Sequence, residues 1–168
     1  MKGKSAVLLC KMMMALLAAG AARGEVKGDD RPPQIGRLEL RPEYWKWMKE
    51  AGAKYGVDSC LIAATAAIES RFDASATSGR GSCIGLMQLH RDTARAYGVN
   101  PWDPRENIEG GAQVLERLLR KYHGNLRRVY WTYNAKCNER YFREVMKAYR
   151  QAVFTSRGSN LSTTRRER

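Results

Sequence analysis

The run Ala63-Ala64-Thr65-Ala66-Ala67-Ile68-Glu69-Ser70 closes an otherwise apolar stretch with a carboxylate. A carboxylate that enters apolar surroundings either pairs with a base or has its pKa raised, and no Lys or Arg lies in the helical turns before Glu69. Arg71 is the one basic residue close behind it. Alone, a Glu in this position reads as a solvated helix end. A chemical role for it has to come from what the rest of the chain sets beside it.

A chain of 168 residues is long enough for one domain with a buried core and tails. Residues 1–24 hold Lys2, Lys4, Lys11 and Arg23, no acid, and the apolar run Met12 to Ala22. They read as a secretory signal peptide, cleaved between Ala21 and Glu25. The run is too short to span a bilayer and no second one follows, so no stable membrane insertion is expected. Cys10 invites a lipid anchor, which bulky Leu9 excludes at a place that needs a small residue. Four of the 30 bases fall in residues 1–24, leaving 26 against 17 acids, so the exported chain stays near +9 and its partner is expected to be anionic. An exported chain meets wall polymers and membrane surfaces first, and nucleic acid is not an expected partner.

Export also gives the cysteines a meaning. Cys60, Cys83 and Cys137 are odd in number, which implies one bridge and one spare thiol in an oxidising compartment, with the pairing open. There is no CxxC, and His90 and His123 are isolated, so neither a metal site nor a cofactor is expected.

Along the chain, residues 25–41 mix Gly, Pro and charge without a period and read as an extended leader. Tyr44, Trp45, Met48, Ala51 and Tyr55 recur at helical spacing up to Gly56, which predicts an amphipathic helix over 42–55. Asp58 is a fitting N-cap for the next helix, the one that ends in Glu69. Residues 71–83 are rich in Ser and Gly and predict a functional loop. Gly85-Leu86-Met87-Gln88-Leu89 is read as the opening of a helix that stops at Gly98. Asp103-Pro104-Arg105-Glu106 marks another start, with Ile108, Ala112, Leu115, Leu119 and Tyr122 as its buried face. Gly110-Gly111 inside that helix costs about 1 kcal/mol per glycine against alanine, which implies a close approach by a neighbour. Asn138 caps a last helix whose face is read as Phe142, Val145, Tyr149 and Val153. Residues 154–168 are expected to form a disordered basic tail.

Three separated elements stand out together: Glu69-Ser70, Gly85-Leu86-Met87-Gln88-Leu89 and Tyr133-Asn134-Ala135. In that order and at about these separations they resemble the catalytic domain of the soluble lytic transglycosylases, which share the goose-type lysozyme fold. The likeness runs from Pro42 to Ala152 and takes in Asn107-Ile108. It implies an all-α, lysozyme-like helical domain over 42–153. The chain departs from the family pattern at Ala74, where proline is usual. It departs again in a loop from Ser78 to Gly85 that is one residue longer, at Cys83 in place of alanine, and at Lys136-Cys137 in place of glycine. These changes border the cleft and bear on specificity rather than on chemistry.

The resemblance implies cleavage of the MurNAc-GlcNAc bond of peptidoglycan glycan strands to give anhydromuramoyl ends. Glu69 is then the catalytic acid, held protonated by its apolar surroundings and by the negative end of its helix. A two-carboxylate hydrolase needs a second acid, and Asp58, Asp73 and Asp92 are poor candidates. The family's single Glu serves as acid and then as base. Tyr133 is expected against this carboxylate, Asn134 on the sugar or its acetamido group, and Gln88 and Met87 on the cleft floor. Ser70 and Ser78 are expected to orient the acid and the loop. If both loops border one cleft, Cys83 pairs with Cys137, and Cys60 is the alternative partner for either. The protein is expected to act as a monomer, exported to the bacterial periplasm or cell envelope. Its short build resembles transglycosylases that open the wall for secretion or conjugation machinery. The alternatives are a hydrolytic muramidase and a non-catalytic basic glycan-binding module.

Overall fold

A computed structural model describes residues 31–79, 81–135 and 138–158 of the chain. The signal peptide, leader residues 25–30 and tail residues 159–168 lie outside the described residues. Six helices form: α1 Pro42–Tyr55, α2 Ser59–Glu69, α3 Arg91–Tyr97, α4 Pro104–Lys121, α5 Leu126–Tyr133 and α6 Glu139–Gly158. Between α2 and α3 lies a hairpin of two-residue antiparallel strands, β1 Cys83–Ile84 and β2 Leu89–His90, with Cys83 opposite His90.

Everything is arranged around α2. Its residues Cys60 to Ala67 are all buried, because a helix that is apolar on every side has no face to give to water. Asp58 caps it as expected, accepting from the Cys60 N–H at 2.8 Å. Thr65, the one polar residue of that buried run, is satisfied by the Leu61 carbonyl and the Tyr130 hydroxyl, each at 2.8 Å. α2 packs chiefly on α6 and α1, while α4 supports α1 and α5. On the expected face of α1, Tyr44, Trp45, Met48 and Ala51 are buried, while Tyr55 is only partly so.

α6 presents a different face from the one read in the sequence. Tyr141, Val145, Ala148 and Ala152 are its buried residues, while Phe142, Tyr149 and Val153 flank the contact. This face packs on α2, where small Ala148 and Ala152 meet a helix rich in alanine. The helix also continues through Phe154 to Gly158, into the stretch assigned to the tail.

Residues 31–41 do more than lead in. Ile35 and Leu40 are buried in the core. The Gln34 N–H donates to Thr155 Oγ1 at 2.9 Å, tying this strap to the far end of α6.

Candidate active site

Glu69 ends α2, with Ser70 as the C-cap. The backbone then turns sharply, because Arg71 and Phe72 both take positive φ, at 57° and 66°. The carboxyl is partly buried, and burial raises its pKa above the ordinary carboxylate value. The hydroxyl of Tyr141 donates to Glu69 Oε1 and pulls the other way by favouring the charged form. Its place at the C-terminus of α2, the negative end of the helix dipole, adds to the upward push.

Three phenols surround this acid. The rings of Tyr130 and Tyr133 lie 6.3 Å apart and those of Tyr130 and Tyr141 6.1 Å apart. Burial first, and the Glu69 charge after it, raise all three pKa values, so each phenol is a neutral hydrogen-bond donor. Tyr133, expected on the carboxylate, instead donates to the Met87 carbonyl at 2.9 Å. Tyr141 takes the place given to Tyr133. The signal for Tyr141 was its phase with Val145, Ala148 and Ala152, which competes with an equally regular phase through Phe142.

The Gly85–Gln88 segment is a turn between β1 and β2 and does not open a helix. Gly85 and Gln88 have φ of 75° and 45°, which no right-handed helix accommodates. The turn is pinned from below by Asn107, fully buried on α4. Its Oδ1 accepts from the Met87 N–H, and its Nδ2 donates to the Ile84 and Pro101 carbonyls, all at 2.8 Å. A Cβ on Gly85 would stand 2.5 Å from Asn107 Nδ2, so the turn requires glycine there. The glycine pair of α4 serves the same turn: a Cβ on Gly111 would meet Met87 Cγ at 2.6 Å, and one on Gly110 would meet Leu89 Cδ1 at 2.7 Å.

This arrangement sorts the expected substrate contacts. Met87 is fully buried in the notch over Gly111, so its thioether packs the core and does not line the cleft floor. Ser70 is also buried; its hydroxyl lies 3.1 Å from the Ala66 carbonyl and 2.9 Å from that of Leu86, tying α2 to the turn and leaving the acid alone. Gln88 is partly buried, with its Nε2 on the Ala76 and Gly85 carbonyls at 3.0 Å, so its amide oxygen is the atom it can present. Ser78 orders the loop, 3.2 Å from Ser82 Oγ and accepting from the Cys83 N–H at 3.1 Å. Asn134 caps α5, and its Oδ1 is buried with no hydrogen-bond partner among the described residues.

The acids weighed as second carboxylates are occupied elsewhere. Asp73 is exposed and holds the Ser75 N–H and hydroxyl at 2.8 and 2.7 Å, which lowers its pKa. Asp58 accepts from the Tyr149 hydroxyl at 2.7 Å besides its cap, and Asp92 is exposed on α3 beside Arg95. No cluster of three potential metal ligands occurs among the described residues. Cys60 and Cys83 are free thiols, so the expected bridge is not made at Cys83, and Cys137 lies outside the described residues.

The carboxyl group with raised pKa thus ends the buried central helix of a mostly helical, lysozyme-like domain with one short hairpin, and neutral phenols face it. The model of the transglycosylase SLT domain matches residues 46–154, and the chain belongs to that family. A protein named transglycosylase from Enterobacteria phage PRD1 is 35% identical over 108 residues, covering 64% of this chain and 40% of the phage protein. A membrane-bound lytic murein transglycosylase F of Alkalilimnicola ehrlichii is 44% identical over 81 residues, covering 48% of this chain and 16% of its own. The chain thus spans less than half the length of these relatives. An inactive mutant of lytic transglycosylase Slt from Pseudomonas aeruginosa aligns with a TM-score of 0.49 at 24% identity, over 70% of this chain and 24% of that one.

Proposed function

We propose that this chain is a peptidoglycan lytic transglycosylase that cleaves the MurNAc-GlcNAc bond and leaves anhydromuramoyl ends. The observation that carries the reading is Glu69, partly buried and served by the Tyr141 hydroxyl, with Asp58, Asp73 and Asp92, the acids weighed as second carboxylates, occupied elsewhere.

On this reading protonated Glu69 gives its proton to the glycosidic oxygen, and the bond to the anomeric carbon breaks. General acid catalysis of this kind contributes about 10² to 10⁴ in rate. The primary hydroxyl of the same muramic acid then attacks that carbon, and its proton passes to the Glu69 carboxylate, which is restored as an acid. No water is consumed. Tyr141 holds the carboxylate in place between the two steps, and Tyr133 acts on the Met87 carbonyl to fix the turn that carries Gln88.

The same reading places the protein outside the cytoplasm, in the periplasm or cell envelope, with residues 1–24 as signal peptide. Among the described residues no helix is long and apolar enough to cross a membrane. Opening the wall for a secretion or conjugation apparatus is the process we assign to it. Purified peptidoglycan incubated with the exported chain is expected to release fragments with anhydro ends, and Glu69→Gln to release none. Reducing ends would make the protein a muramidase, and an active Glu69→Gln would remove Glu69 from the site.

A further inference from the structure

A groove of about 470 Å³ runs beside the end of α2, walled by the strap at Ile35 to Leu38 and by α6 from Glu144 to Gln151. Its floor is Ala67 and Ala148, and it is flanked by Ile68 and Arg71, the residues on either side of Glu69-Ser70. The volume falls within the range of small-ligand sites. Three cations line it, Arg37, Arg71 and Lys147, against one acid, Glu144, whose charge is already met by Arg140 at 2.9 Å. Arg71 is set on the wall by a backbone at φ 57°, a conformation that costs about 1 kcal/mol outside glycine. The strap wall is itself built, closed by Leu38 N–H on the Ile35 carbonyl at 3.1 Å and tied to Thr155 through Gln34.

We infer that this groove binds the carboxylate-bearing peptide stem of the glycan held at Glu69, with Arg71 and Lys147 as its principal anion contacts. The inference rests on the proposed function for its substrate. Length supports it: Glu144 to Gln151 spans about 10 Å of helix at 1.5 Å per residue, the reach of about three extended peptide residues. Charge supports it too, since an apolar floor with cations at its rim accepts small side chains below and free carboxylates above. Ala67, Ile68 and Arg71 bring the groove within one helical turn of Glu69, beside the proposed acid.

The test titrates the exported chain with a synthetic stem tripeptide bearing free carboxylates, and with the same peptide as its carboxamide. Arg71→Asn keeps a residue that tolerates positive φ, and Lys147→Gln changes only an exposed position, so neither threatens the fold. Each is expected to weaken tripeptide binding about threefold and the pair about tenfold, the scale of partly exposed ion pairs. The carboxamide should bind as weakly to the unaltered protein as the tripeptide does to the double variant. In parallel, the ratio of kcat/KM on stem-bearing to stem-stripped glycan should fall toward one in the double variant. Equal binding of tripeptide and carboxamide, or a double variant with unchanged affinity, overturns the inference. Tripeptide binding with no anhydro product from either glycan would instead overturn the lytic reading and leave the groove standing.

Discussion

Glu69 is held between burial, which disfavours its charge, and the Tyr141 hydroxyl, which favours it, with burial the larger. Because the folded pKa lies above the unfolded one, the fold keeps its full stability below the ordinary carboxylate pKa and loses part of it as pH rises through the raised value. Glu69→Gln is neutral at every pH. It is therefore expected to raise Tm at pH 7 and above, the gain vanishing as pH falls below about 4.5, while activity is lost. A Tm that fails to rise at pH 7 would mean the carboxylate is not desolvated. Tyr141→Phe removes the donor that favours the charge, so the Glu69 pKa rises further and the alkaline limb of the rate profile moves to higher pH. A kcat about tenfold lower accompanies it, as the acid loses its orienting bond; an unmoved limb would show that Tyr141 does not act through Glu69. Of this site the sequence exposed the acid, its apolar run and the absence of a ready second carboxylate. It hid Tyr141, because two adjacent aromatics at the start of α6 offered two equally regular faces and the choice was made by the alanines of α2, some 70 residues away.

At the scale of elements, the hairpin turn illustrates how a remote residue decides a local structure. Gly-Leu-Met-Gln-Leu carries no strand alternation and was compatible with a helix opening, yet Asn107 on α4 captures three backbone groups around it at 2.8 Å each. Those groups have no local substitute. Asn107→Ala is expected to cost about 3 kcal/mol, at roughly 1 kcal/mol per lost bond, read as a lower denaturant midpoint at constant slope. A loss under about 1 kcal/mol would show that the turn holds its own shape. By contrast most helix ends were legible: Asp58, Asp103 and Asn138 accept backbone N–H bonds at helix starts, and Gly56 and Gly98 end helices in the left-handed conformation. Caps are local chemistry. The glycine pair of α4 was readable as a demand for close approach, though not for what approaches, the Met87 and Leu89 side chains of the turn.

For the whole molecule, the strap of residues 31–41 is part of the core rather than a leader to it. Leu40 is 7% exposed and Ile35 4%, so Leu40→Ala and Ile35→Ala are each expected to destabilise by about 2 to 4 kcal/mol, measured by chemical denaturation. Two surface-like values near zero would return the strap to the status of a leader. Its Gly and Pro content gave no periodicity to read, and its buried residues, Pro33, Ile35 and Leu40, are scattered singly along it. The helical core was legible because periodic faces and caps agree along the chain, and the family likeness needed only three short motifs on that frame. The central claim is that one carboxyl group performs both proton transfers while the sugar supplies its own nucleophile. Digestion of peptidoglycan in heavy-oxygen water measures this most directly. Released muramoyl ends are expected in the anhydro form with no heavy oxygen at the anomeric carbon; reducing ends that carry the heavy isotope would show that water is the nucleophile.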